Sequence, residues 1–236
     1  RGQLRGVTPR VPAEMSRFAV LQAMNGVCVQ VPLRGGVVAV ALLAGSRVET
    51  GYATIAMGVA IACTFAVWQI FVVALPALAK LAATDLPAAG VLLTRLAGRV
   101  VLVLLPVTLA AAALAGPLLT LLAGGAFAPA SEALGLALAS VPFAPITGAA
   151  GAAAAIRLRP GARLVATAAG AVVFLATAAY LVPRLGAAGA SGAVLASTVM
   201  SALAGSVLFP DLLRRRVMVA ALCVSGLVIL IGASRP

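Results

Sequence analysis

Seven stretches of this chain are too long and too apolar to belong to the interior of a water-soluble fold. They cover residues 18–44, 51–79, 100–123, 131–156, 163–181, 187–209 and 217–233. Each meets or approaches the ~20 residues a helix needs to cross the hydrocarbon of a bilayer. Lipid offers the backbone no hydrogen bonds, so each stretch must satisfy its own N–H and C=O groups, as a helix does. The breaks between them carry turn chemistry: "GSRVETG", "GGAFAPAS", "RLRPGAR", "VPRLGAAG" and "FPDLLRRR". Only 9% of the 236 residues are charged, against roughly a quarter in an ordinary soluble domain. That is too few to coat a soluble surface, and the mean hydropathy is +1.17. The expected fold is all-α, a polytopic transmembrane helix bundle.

The few charges are unevenly spread. The net charge is +12, which in a soluble protein would point to nucleic acid. Here the basic residues lie between apolar runs, so membrane lipids are the expected partner and nucleic acid is not. Arg1, Arg5, Arg10 and Arg17 precede the first run, in a basic lead-in over residues 1–17. Lys80, Arg95 and Arg99 follow the second run, Arg157, Arg159 and Arg163 the fourth, and Arg214, Arg215 and Arg216 the sixth. The alternate breaks hold only Arg47, Arg184 and Arg235. Basic residues hold their loops in the cytoplasm, beside anionic headgroups. The pattern therefore predicts a multi-pass protein of the plasma (inner) membrane with a cytoplasmic N-terminus and an external C-terminus. The first run is too long for a signal-peptide core. The chain opens on Arg1 rather than Met, which suggests a piece of something longer.

Between the second and third runs lies "LAKLAATDLPAAGVLLTRLAGRV". There Leu78, Leu81, Ala89, Leu92, Leu93, Leu96 and Val100 recur about every three or four residues, with Lys80, Arg95 and Arg99 on the other side. Thr84 or Asp85 can cap a helix there, with Pro87 in its first turn. The reading is an amphipathic helix over residues 86–99, lying in the membrane interface and running into the third span.

The order of loops and charges is also familiar. "LPALAKLAATD" closes the second run, "AFAPASEALGLALASVPFAPITG" enters the fourth, and "LVPRLGAAGASGAVLAS" links the fifth to the sixth. Together they resemble the polysaccharide-export flippases of the multidrug/oligosaccharidyl-lipid/polysaccharide exporter superfamily, over residues 16–209. The resemblance implies a six-helix transmembrane bundle over residues 18–209, forming the C-terminal half of such an exporter. Residues 217–233 would be one extra span, and the N-terminal half would lie in the same polypeptide. It further implies alternating access for a lipid-linked, polyprenyl-diphosphate oligosaccharide, used in polysaccharide biosynthesis or export. Members often carry an acid near the end of the half's first helix. Here that region reads "VPLRGGVVAVALLAG", so the resemblance does not carry cation coupling into this half. The alternatives are a cation-coupled multidrug exporter of the same superfamily and a non-transporting membrane scaffold subunit.

Chemistry is sparse. The acids Glu14, Glu49, Asp85, Glu132 and Asp211 all fall in loops or at span ends, and histidine is absent. Metal-diphosphate enzymes need clustered acids and zinc proteases need histidines, so no enzyme, metal or cofactor is expected. Cys28, Cys63 and Cys223 sit inside apolar runs as small hydrophobes. Arg34 is the anomaly, a guanidinium inside the first run, where burial costs about 2.5–3.5 kcal/mol on insertion scales. Either it lines a wet cavity and binds an anionic substrate group with its two-pronged fork, or it snorkels to the headgroups. Pro32, Gly35 and Gly36 beside it suggest either a broken helix, as transporters use at binding sites, or an ordinary kink. Gln22, Asn25 and Gln30 add amides to the same helix. Gln22 and Asn25 share one face, and Gln30 and Arg34 another. The candidate substrate-binding residues are therefore Arg34, Gln30, Asn25 and Gln22. Pro142 and Pro145 predict a bend in the fourth span, either a hinge or a static kink.

Overall fold

The computed structural model describes residues 13–210, and every element within them is helical. The seventh apolar run and residues 1–12 of the lead-in lie outside the described residues. The first helix, α1 (Ala13–Ala39), widens into one π turn (Val40–Ala44) and stops at Gly45, whose φ is 63°. Ser46 then caps α2 (Arg47–Ala82), its hydroxyl accepting the Glu49 N–H at 3.3 Å. Asp85 caps α3 (Leu86–Ala113) in the same way, accepting from Ala88 N at 2.9 Å, with Pro87 in the first turn. The third span breaks at Leu114, and α4 (Ala115–Ala123) follows. Pro117 explains the break: it has no N–H to give to Ala113, and its ring crowds that carbonyl. A 3-10 stretch (Gly125–Ala130) leads into α5 (Ser131–Ser140). A 3-10 turn (Val141–Phe143) then joins α5 to α6 (Ala144–Ile156), at Pro142 and Pro145, where a bend was expected.

The last helix, α7 (Pro160–Leu208), is interrupted at Gly186, with φ 53° and ψ −125°. That backbone region is in practice reserved for glycine. Gly170 lies against both Ser197 and Ser201, which requires the second limb of α7 (187–208) to run back along the first (160–185). Five helical units are long and apolar enough to cross a membrane: Met15–Ala44, Arg47–Ala82, Leu86–Ala113, Gly125–Ile156 and Pro160–Leu208. The fifth, folded at Gly186, traverses the bundle twice.

Alternate turns gather at the same end. Tyr52 Oη donates to the Ala126 carbonyl at 3.3 Å, and its ring meets Phe127 edge-on at 5.9 Å. Glu49 Oε2 accepts the Ala187 N–H at 2.8 Å, so a carboxylate from α2 sits on the N-terminal end of the second limb. That is where the helix dipole favours negative charge. The turns after α2 and α6 therefore lie at the opposite end, with Lys80, Arg157 and Arg159.

The span made by α5 and α6 is the central pillar. In its most apolar window 83% of residues are buried, against 17–33% in the other spans. Its sequence allows this, since Ala137, Ala139, Ala149 and Ala153 are fully buried and let neighbouring backbones come close. Among the described residues, more than half of the buried apolar ones are alanines, whereas Leu121, Val73, Val207 and Leu102 are exposed. Large apolar side chains outside and small ones inside is the reverse of a soluble fold and suits lipid.

The segment over residues 86–99 is the first half of α3 and runs into the third span without a break at Val100. Ala89, Leu93, Ala97 and Val101, four residues apart, are all buried against the bundle. This narrow stripe packs on protein and leaves Arg95 and Arg99 exposed. Of the two readings at Pro32, a broken helix does not form: α1 continues through it to Ala39. Gly35 and Gly36 serve contact instead: the Phe174 ring covers Gly35, and Met57 fills the space beside Gly36.

Candidate substrate cavity

The pillar does not fill the bundle. A cavity of about 310 Å³ lies between α1, α2, α5, α6 and both limbs of α7. The hydrophobic wall includes Trp68 and Phe71 of α2, Val194 of the last limb and Phe209 just beyond it. Gly148 and Gly151 of α6 keep the cavity open. A Cβ at Gly148 would sit 2.7 Å from the Phe71 ring, and one at Gly151 would sit 3.1 Å from Arg163 Cζ. The Arg163 guanidinium thus rests on a helix surface that carries no side chain.

The polar lining falls into two groups. Some side chains are already satisfied. Ser140 donates to the Ala137 carbonyl at 2.7 Å, and Thr198 to that of Val194 at 2.6 Å. Trp68 Nε1 donates to Thr147 Oγ1 at 3.3 Å. Thr167 Oγ1 lies 2.9 Å from Asn25 Oδ1 and also reaches the Arg163 and Leu164 carbonyls, both at 3.1 Å. Others have no hydrogen-bond partner among the described residues: Gln22, Thr64, Arg163, Ser197 and Ser201. Ser197 is only 1% exposed and Thr64 9%, so bulk water does not serve them as it would a surface hydroxyl. No acid among the described residues lines the cavity, and none of their His, Cys, Asp or Glu groups gathers into a metal site.

The four sequence-chosen residues separate into two environments. Gln22 lines the cavity. Asn25 is buried, 3% exposed, with its amide oxygen taken up by Thr167. Gln30 and Arg34 do not line the cavity. They lie on the exposed side of α1, where Arg34 Nε donates to Gln30 Oε1 at 3.1 Å. The helical phase was read correctly, with two residues on each face. Arg34 faces away from the cavity inside this bundle. Cys28 and Cys63 are half-buried, and Cys28 belongs to the cavity wall. Cys223 lies outside the described residues.

The residue that sequence reasoning missed is Arg163, counted only among the basic residues that orient a loop. A signal was present: Arg163, Thr167 and Gly170 are spaced to share one helical face, and such a small, polar face is unlike a lipid-facing one. No protein-family model matches the chain, and neither does any curated protein or solved structure.

Proposed function

We propose that this chain is one half of a membrane flippase that moves a lipid-linked, polyprenyl-diphosphate oligosaccharide by alternating access. The observation that carries the reading is the cavity's composition. It combines one guanidinium, several hydroxyls and aromatic walls with no carboxylate among the described residues. An anionic, hydroxyl-rich substrate suits such a lining. A cation-coupled drug exporter would need intramembrane acids for its relay, so the flippase reading is the better supported of the two. Pairing with a second helical half follows from Arg34. It lies about 16 Å along α1 from Gly45, roughly half the thickness of the hydrocarbon layer. Val27 and Val38 beside it are exposed. A guanidinium at that depth calls for a protein or water neighbour rather than lipid. In this reading the uncovered face of α1 borders the cleft between the halves, where Arg34 and Gln30 meet the substrate diphosphate.

The orientation follows from the charge count. A cysteine introduced at Gly161, in a cysteine-free background, is expected to react only after the cells are opened. One at Leu185, exposed beside the Gly186 turn, should react with an impermeant reagent from outside. Labelling at position 161 in intact cells would reverse the topology. The function itself is tested by complementation: the complete protein should restore glycan export in a bacterium lacking its lipid-linked oligosaccharide flippase. Absence of export with normal membrane levels of the protein, across glycans of several types, would remove the reading.

A further inference from the structure

We infer that the cavity within the bundle is a phosphate-binding site, separate from the Arg34 face, with Arg163 supplying its charge and Ser197, Ser201 and Thr64 its hydrogen bonds. The site stands on the cavity's own geometry and does not require that the chain be a flippase.

Arg163 enters from the first turn of α7 and lines the cavity, with its guanidinium against Gly151. Among the described residues it has neither an ion-pair nor a hydrogen-bond partner. An unpaired guanidinium in a largely apolar wall is costly unless a counter-charge reaches it. Among the described side chains no acid lines the cavity: Glu49 caps the second limb at the far end of the bundle, Asp85 caps α3, and Glu132 is exposed at the start of α5. The hydroxyls point the same way. Gly170 has no side chain, so the second limb approaches closely enough to bring Ser197 and Ser201 beside the first. Both serines line the same cavity as Arg163, and neither has a partner among the described residues. Thr64 adds a third such group from α2. A guanidinium fork with free hydroxyl donors and no carboxylate is the chemistry that takes phosphate oxygens. A carboxylate ligand would use the fork but leave more of the hydroxyls idle. The phosphate can arrive free or on a lipid, and the site's chemistry is the same for both.

The test is calorimetric titration of the 236-residue chain in phosphatidylcholine nanodiscs. The probes are inorganic diphosphate, a short polyprenyl diphosphate and the matching uncharged polyprenol. Binding of inorganic diphosphate supports the site with a free source. Binding of the polyprenyl diphosphate alone supports it with a lipid source. In either case Arg163→Ala should weaken binding about tenfold or more, and Arg163→Lys should recover part of the loss. Ser197→Ala and Ser201→Ala should each weaken binding about two- to tenfold. Arg95→Ala, on the exposed side of α3, should leave it unchanged. Thermal melts without probe identify a variant that fails to fold, and the two serine variants then carry the test. Asp211, two residues after the cavity-lining Phe209, lies outside the described residues and supplies the decisive control. If diphosphate binds only after Asp211→Asn, an internal carboxylate already occupies Arg163 and the inference fails. It fails equally if the wild-type chain binds neither diphosphate, if the polyprenol binds as tightly, or if binding survives Arg163→Ala. A chain that binds diphosphate through Arg163 but never restores glycan export keeps the site and loses the flippase reading.

Discussion

Gly170→Leu is expected to prevent the two limbs of α7 from packing and to leave little folded protein. A Cβ at this position would sit 2.8 Å from the Ser197 carbonyl oxygen and 3.2 Å from the Ser197 hydroxyl, with the Ser201 hydroxyl closer still. The carbonyl belongs to a helix backbone and cannot rotate away, so the limbs would have to separate. Separation would also pull the second limb from the pillar, where Gly205 lies against Ala150. The cost is on the order of 3 kcal/mol for overpacking alone. Losing the contacts beyond it adds to that cost. Gly58→Leu is the control, because a side chain at Gly58 meets nothing within 4 Å. Size-exclusion profiles and thermal midpoints in detergent should show Gly170→Leu aggregated or strongly destabilised and Gly58→Leu close to the parent. A Gly170→Leu protein melting like the parent would show that the limbs are not packed as described.

Arg34→Ala is expected to abolish glycan export by the complete protein, at normal membrane abundance. Among the described residues Arg34 is bonded only to its own helix, through Gln30, so its removal breaks no hydrogen bond between described helices and folding should survive. It also removes a charge from the membrane, which favours insertion. Any loss of export therefore belongs to the substrate path. Arg34→Lys should recover only part, since an ammonium lacks the two-pronged contact with a diphosphate. Full export by Arg34→Ala would mean that the side chain merely reaches for headgroups.

Much of this molecule was readable before its structure. Turn chemistry located the breaks near Gly45, Gly124 and Gly186, because glycine at a positive φ is needed there. The two polar pairs on α1, Gln22 with Asn25 and Gln30 with Arg34, separated as helical spacing requires. What escaped was direction. A count of basic residues sums over a loop and says nothing of where each side chain points, so Arg163 was grouped with Arg157 and Arg159. Its aim into the cavity depends on Gly151, a residue on another helix. Pro32 alone could not decide between a break and a kink, for a related reason. A proline removes one backbone bond, and a helix held by neighbours tolerates that loss; the adjoining glycines marked close approach to Phe174 and Met57 rather than unwinding. The segment over residues 86–99 was legible as an amphipathic helix capped at Asp85 and running into the third span. Its packing was not legible: Leu93 and Ala97 are buried together with residues of α2 and α6, and that match exists only in three dimensions.

The central claim is translocation, and the most direct measurement is made in proteoliposomes. The complete protein would be reconstituted with a fluorescent polyprenyl-diphosphate oligosaccharide, and an impermeant quencher added outside would report how much of it remains accessible. The account predicts that the protected inner-leaflet half becomes accessible over time with the parent protein, and that this movement is lost in Arg34→Ala. Accessibility that stays at the level of protein-free vesicles, with the protein folded and correctly inserted, would contradict it.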